Sequence, residues 1–424
     1  MEAAAKCWYE GGGQPLFQVR CIKQERIKPF PFDLRNSILF GLASYGQGKA
    51  SLEPRKGTLL FGETLLIDGP ASVLVLSGKG SAFGANIAAG DRVLARIGKR
   101  IPLTPTSRRL EFEAKASGKL EIIKCDAIPP SWKKAAESTI GAGGRAIVLG
   151  RVDAGKTGFC TYLANRALPK LRNVGYVDGD VGQPEIGPPT TITAAIMERQ
   201  HYALSKLRAT SMHFVGNTSP SYCQDRVIDS VEKCAVSLET KGAKMVIVNT
   251  DGWVDEGGLL HKAKLVCRLK PNTVLSFLSK EENAALCSML EGPTNLLILE
   301  RPEHARSRNQ EERRKSRESA YRAYFRQADR MRIELSRIEL VNAPFRTWGA
   351  PTACHSTWFR LERGLLAGLM RRESTLGLGM LLGIDRRRGT IDLLCRVESG
   401  QEPDRIEFGS IRLDSAFREV AHPF

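Results

Sequence analysis

The sequence predicts an α/β protein in three parts: a central domain with a doubly wound, mainly parallel sheet, flanked by N-terminal and C-terminal β-rich domains. Three observations predict it. After Arg145, near-continuous apolar runs alternate with helical stretches, as in a sheet covered on both faces. Before it, short extended runs are broken by Gly and Pro. Beyond about Ile338 the chain returns to short strands.

The first part spans 1–127. From about Leu16 to Cys125, the runs "TLLFGETLLIDG", "ASVLVLSG", "DRVLARIG" and "GKLEIIKC" read as strands of a small sandwich or barrel. "IPPSW" (Ile128–Trp132) opens a helix, and Gly141–Gly144 reads as a flexible boundary. The central part spans 128–337. Its expected strands are "RAIVLG", "NVGYVDGD", "SMHFVGNT", "AKMVIVNT", "NTVLSFLS" and "NLLILE", with helices over Ser221–Lys241 and Glu256–Leu269. An Arg-dense stretch then follows, helical in propensity to about Arg337, with 301–330 as a candidate lid. The last part, 338–424, holds a hairpin, "GMLLGIDRRRGTIDLLCRV", turning over "DRRRG". No internal repeat is evident.

With 42% hydrophobic and 26% charged residues, the 424-residue chain is globular in composition. Its net charge of +17 suits an anionic partner, nucleic acid ahead of a membrane surface. The ten Cys are scattered, with no CxxC pair and no zinc-type spacing. That excludes a zinc module and a disulfide scaffold and suggests reduced thiols. "MEAAAKCWYEGGGQP" has no apolar signal core, and no apolar run approaches ~18 residues. The expectation is a protein without a membrane partner, cytoplasmic, or nuclear if eukaryotic.

"GRVDAGKT" (Gly150–Thr157) fits GxxxxGK[ST] between an expected strand and an expected helix. Glycines there let backbone N–H groups wrap a phosphate, and the helix N-terminus adds positive potential. The central domain is therefore read as a P-loop NTPase domain. Gly150, Asp153, Ala154, Gly155, Lys156, Thr157 and Gly158 are its candidate nucleotide contacts. Lys156 should reach the β- and γ-phosphates, and Thr157 should offer its hydroxyl to Mg²⁺. The next strand ends in "DGDVGQ" (Asp178–Gln183). Two carboxylates two residues apart on a strand project to one side. One can hold Mg²⁺ through water, and the other can take a proton from an incoming hydroxyl. The Arg-dense stretch either folds over the phosphates or is a solvated helix. Trp253, in "VNTDGW", either stacks a nucleobase or packs in a core.

Taken in this order, the motifs resemble the P-loop polynucleotide 5′-hydroxyl kinase family. That family includes archaeal polynucleotide kinases, the kinase subunit of the eukaryotic pre-mRNA cleavage complex and the nucleolar rRNA-processing kinase. Its hallmarks are a Walker A loop, a DxDxGQ Walker B, a TxGW clasp and an Arg-rich lid ending near YF. The chain shows "GRVDAGKT", "DGDVGQ", "TDGW" (Thr250–Trp253) and "RRKSRESAYRAYF" (Arg313–Phe325). "GQPEIGPPTTI" and the "SPS" after "FVGNT" look most like the archaeal branch.

The resemblance implies transfer of the γ-phosphate of ATP, or another NTP, to the 5′-hydroxyl of RNA, with DNA also open and RNA-processing proteins as partners. It implies Asp180 as general base, with Asp178 on Mg²⁺ beside Thr157 and Gln183, the reverse carboxylate assignment staying open. Gln183, Thr250, Gly252 and Trp253 would meet the acceptor strand, with Trp253 stacking on its terminal bases. Arg313 and Arg317 match the lid's RxxxR and would contact the γ-phosphate, Arg314 being able to fill the first place. Two departures stand out: Asp251 adds negative charge inside the clasp, and Gly179 loosens the strand end where a bulkier residue is common. The rival readings are an ATP-bound non-catalytic scaffold and an NTPase switch. The sequence has no guanine-reading NKxD motif.

Overall fold

Residues 53–342, 362–397 and 400–420 are described by a computed structural model of the chain. The expected extended stretch from Leu16 to residue 52 lies outside these residues. Between Arg55 and Ile123 two antiparallel sheets form. One has the order Arg55–Leu60, Arg109–Ala116, Ala71–Ser77, Arg92–Ala95. The other runs Ala85–Ala88, Lys79–Ala82, Arg100–Pro105, Thr64–Asp68, Leu120–Ile123. Period-two alternation explains them: Arg109–Ala116 buries Leu110, Phe112 and Ala114 and leaves Arg109 exposed. Leu59, Ile67, Val73, Leu103 and Leu110 share one core.

Helix α1 (Pro130–Ala142) starts where Pro at the first turn costs no hydrogen bond. It sends Trp132 into the central core, edge-on to Phe159 at 5.3 Å. Gly141–Gly144 is therefore not an extended linker. The helix continues to Ala142, and Gly143 and Gly144, each at φ 63°, turn the chain directly into the next strand.

The central sheet comprises β1 (Gly144–Leu149), β2 (Val174–Gly179), β3 (Thr191–Met197), β4 (Ser211–Phe214), β5 (Met245–Thr250), β6 (Thr273–Ser276) and β7 (Leu296–Ile298). Their order is β4-β3-β2-β5-β1-β6-β7. Pairings from β2 to β7 are parallel, whereas β2–β3 and β3–β4 are antiparallel. The sheet is thus mixed. No crossover helix lies between β2 and β3, so the returning chain can pair only antiparallel. Strand β3 is not among the expected strands, because its "TITAA" follows a Gly/Pro-rich loop and carries little apolar bulk. Helices α2 (Lys156–Leu171), α3 (Gln224–Thr240) and α4 (Glu256–Leu269) cover the sheet faces, followed by α5 (Lys280–Ser288).

The Arg-dense helix α6 spans Gln310–Phe325 and ends there, short of Arg337. Asp329–Glu334 is instead an edge strand, paired antiparallel with Thr390–Cys395. The pairing places that strand with the C-terminal sheet, ahead of the expected boundary at 338. That sheet has the order Asp329–Glu334, Thr390–Cys395, Ser374–Asp385, Leu365–Arg371, Arg405–Leu413, Glu339–Asn342. The "DRRRG" hairpin is its Ser374–Asp385 and Thr390–Cys395 pair. Tyr321 and Phe325 of α6 are buried against Leu366, Leu378 and Phe214, which ties α6 to both sheets. Gly368 is required at this junction, since a Cβ would come within 2.6 Å of the Phe214 ring.

Candidate active site

The phosphate loop lies between β1 and α2. Gly150 (φ 150°), Asp153 (φ 57°) and Gly155 (φ 106°) take backbone conformations that let it curl. Gly150 also passes so close to Phe277 that a Cβ would meet it at 2.6 Å. Lys156, 7% exposed, donates to the carbonyls of Gly150 and Arg151, both at 2.8 Å. Burial pushes its ammonium down to about 8, opposed by the charges of Asp180 and Asp251.

A cavity of about 420 Å³ opens over this loop. Asp153, Ala154, Gly155, Lys156, Thr157 and Gly158 form its floor, and Asp180, Gln183, Gly252 and Trp253 form one wall. The lid supplies Arg306, Arg308, Arg313 and Arg317, and the N-terminal sheets supply Phe83, Lys99 and Arg100. The N-terminal module is fastened there by Asn165 of α2, which donates to the Phe83 carbonyl at 2.7 Å.

The two Walker B carboxylates part company. Asp180 faces the cavity and accepts the backbone N–H groups of Gly182 (3.0 Å) and Gln183 (2.9 Å). Burial and the nearby Asp251 charge raise its carboxyl above the usual range, Lys156 opposing. Asp178 does not line the cavity and is fully buried. It accepts the N–H groups of Glu185 and Ile186, the latter at 3.1 Å, so it folds the following loop. The expectation that both project to the nucleotide is corrected: Asp180 lies beyond the end of β2, where strand alternation no longer holds. Gly179 is not a loosening either. A Cβ would meet the Asn249 carbonyl at 2.5 Å, so β2 and β5 need glycine there.

The clasp follows β5. Thr250 is 1% exposed and donates to Val148 O at 2.8 Å. It braces the strand and does not line the cavity, which corrects its expected contact with the acceptor. Gly252 lets Val152 approach; a Cβ would sit 2.4 Å from its side chain. Trp253 lines the cavity and stacks on His261 at 5.9 Å and 29°.

In the lid, Arg308 reaches across to the phosphate loop. Its Nε donates to Asp153 Oδ1 at 2.9 Å, and its Nη1 to Gln183 Oε1 at 3.3 Å. Arg313 donates to the Arg308 carbonyl at 2.6 Å and stands 3.6 Å from Asp153. Arg317 touches the cavity, but both arms of its guanidinium hold Glu419 at 2.6 Å. Arg314 turns away, to Glu318 at 3.0 Å and to Glu419. In this conformation Arg317 is held by Glu419 and Arg308 by Asp153 of the phosphate loop, so each would have to exchange its carboxylate for a phosphate, and Arg314 does not take Arg313's place. Arg308 is the residue sequence reasoning missed. Its signal was the "NQEE" after it, an Asn309–Glu312 capping box that starts α6 at Gln310 and leaves Arg308 at the end of the lid loop.

Mg²⁺ prefers oxygen donors and retains ligands from phosphates and water. The Thr157 hydroxyl and the Asp180 carboxylate line one cavity and fit that preference. Asp178 accepts backbone amides outside the cavity, whereas Gln183 lines it with its Oε1 turned to Arg308.

Residues 150–327 match the model of the mRNA cleavage and polyadenylation factor CLP1 P-loop family. A polyribonucleotide 5′-hydroxyl-kinase of Methanocaldococcus jannaschii is 31% identical over 65% of this chain and 89% of its own length. The chain belongs to this family. A second polyribonucleotide 5′-hydroxyl-kinase, of Pyrococcus furiosus, is 28% identical over 63% of this chain and 87% of its own. A CLP1 homolog of Aedes aegypti is 26% identical over 50% and 53%. The solved Clp1p–Pcf11p complex shares the CLP1 fold at a TM-score of 0.70 and 15% identity, covering 85% of this chain and 98% of that one. Among the described residues, no helix is long and apolar enough to cross a membrane.

Proposed function

We propose that this CLP1-family chain is an ATP-dependent polyribonucleotide 5′-hydroxyl kinase. The observation that carries the reading is one cavity holding a phosphate loop, a carboxylate at its wall and an aromatic clasp. A hydrolase needs no clasp, and a scaffold that only holds ATP needs no carboxylate beside it to take a proton. ATP enters with its phosphates on the amides of 153–158. Trp253 stacks on the end of the RNA and brings the 5′-hydroxyl in line with the γ-phosphorus. Asp180 takes the hydroxyl proton as the new P–O bond forms and the bond to the ADP oxygen breaks. Its raised proton affinity suits that task.

Lys156 swings from the loop carbonyls onto the phosphates, and Arg308 and Arg313 neutralise the transferring phosphoryl. Thr157 would hold Mg²⁺ beside the phosphate oxygens, where the ion would supply further charge neutralisation.

The test uses γ-labelled ATP, Mg²⁺ and a short 5′-hydroxyl RNA, beside its 5′-phosphorylated twin, a DNA copy and the Lys156→Ala protein. Label on 5′-hydroxyl RNA alone is the expected result, and the DNA arm reads acceptor choice. Label released only as free phosphate would sink the kinase reading in favour of hydrolysis. ATP binding without turnover would leave the scaffold reading.

A further inference from the structure

A negative charge in the clasp is at first sight misplaced in a cavity built for polyanions. Asp251 is 5% exposed and lines that cavity. Its Oδ1 accepts the Trp253 N–H at 2.8 Å. Its Oδ2 accepts the ammonium of Lys262, whose side chain is fully buried on α4. Burial alone would push the Asp251 carboxyl up, but the charge and hydrogen bond of Lys262 hold it below the ordinary range. The Trp253 ring rests on the neighbouring side chain of α4, His261, and Gly258 lets the backbone of Trp253 approach the helix; a Cβ there would meet the Trp253 carbonyl at 2.5 Å.

Either charge alone would be costly in so dry a place, and together they cancel. We propose that Lys262 is a positioning residue for the acceptor RNA: its buried pair with Asp251 fixes the backbone of Trp253 and masks the clasp carboxylate from the incoming phosphates. The proposal rests on the kinase reading above. Lys262 does not line the cavity and its hydrogen bond goes to Asp251; its charge also reaches Lys156, so the ATP KM is the control that separates the two routes.

The experiment compares wild type, Lys262→Met and the double variant Lys262→Met/Asp251→Asn. An asparagine oxygen still accepts the Trp253 N–H but carries no charge. Lys262→Met should raise the acceptor KM about three- to tenfold while the ATP KM moves less than about twofold. The double variant should bring the acceptor KM back to within about twofold of wild type. Equal rises in both KM values, or no recovery in a double variant that melts like wild type, would overturn the proposal. If Lys262→Met does not fold, the double variant decides alone: a near-wild-type acceptor KM supports the masking role, and one as high as that of Trp253→Ala overturns it. Fluorescence anisotropy of a labelled 5′-hydroxyl RNA is read in parallel. A wild type that binds RNA without phosphorylating it would end the kinase reading, while the same contrast in Kd would still judge the pair.

Discussion

The floor of the cavity and its walls are made in different ways. The floor is one contiguous stretch, 150–158, whose shape follows from its own glycines and from the strand and helix it joins. The walls come from segments far apart in the chain: the Walker B loop, the clasp and the lid, with the N-terminal sheets closing one side. Two of these walls are held by partners outside their own motifs. Asp153 and Glu419 hold Arg308 and Arg317 of the lid, and Lys262 holds the clasp. The lesson is that binding a phosphate is a local property, whereas choosing where the phosphate goes is a property of the assembled fold.

The sharpest break in this comparison is Lys156→Ala. It should cost phosphoryl transfer at least about a thousandfold, since charge on the transferring group goes uncompensated. Label transfer to RNA checks it. Next is the separation of the Walker B carboxylates. Asp180→Asn should lower kcat by about 10²–10⁴ with the melting temperature little changed. Asp178→Asn should show mainly in the melt, because it disturbs a buried acceptor of two backbone amides, worth about 1–3 kcal/mol. Similar kinetic losses in both would return Asp178 to the chemistry.

Within the walls, Arg308→Ala should slow transfer by on the order of a hundredfold. Arg317→Ala should instead loosen α6 from Glu419 and lower the melting temperature by a few degrees. Single-turnover rates set beside thermal melts separate the two, and a larger kinetic loss for Arg317 would reverse the assignment. Trp253→Ala should raise the acceptor KM about five- to hundredfold, as stacking on one base is worth about 1–3 kcal/mol, and leave ATP binding intact. Isothermal titration with ATP is the control.

The smallest effect concerns acid. Burial, with the Lys262 charge, pushes His261 down from 6.5 to about 4, opposed by Asp251. A depressed histidine contributes stability in full above 6.5, and that contribution is lost as pH falls from 6.5 towards 4. His261→Phe keeps an aromatic platform and removes the titration. Its stability should therefore fall less than that of wild type across this window, by up to a few kcal/mol at the acid end. Parallel slopes in denaturant melts would show that His261 does not carry the effect.

The phosphate loop was legible from spacing, because its chemistry depends on neighbours within a few residues. The roles of Asp180 and Trp253 entered only with the resemblance to the kinase family. Strand β3 was not legible, because its pairing is decided by the missing crossover rather than by its own residues. The separation of Asp178 from Asp180 was not legible either, because the strand, and with it the two-residue alternation that would pair them, stops at Gly179.

By itself, then, the sequence determined the P-loop, the order of the motifs and the β-rich character of the N-terminal stretch, for these depend on local backbone preference and hydrophobic period. Only the tertiary structure decided which arginine of the lid is held on Asp153 of the phosphate loop and which on Glu419, and that Lys262 answers the charge of Asp251. Those choices are made by side chains from distant elements meeting in a dry space, where an unpaired charge is too costly to leave, and no spacing along the chain records such a meeting.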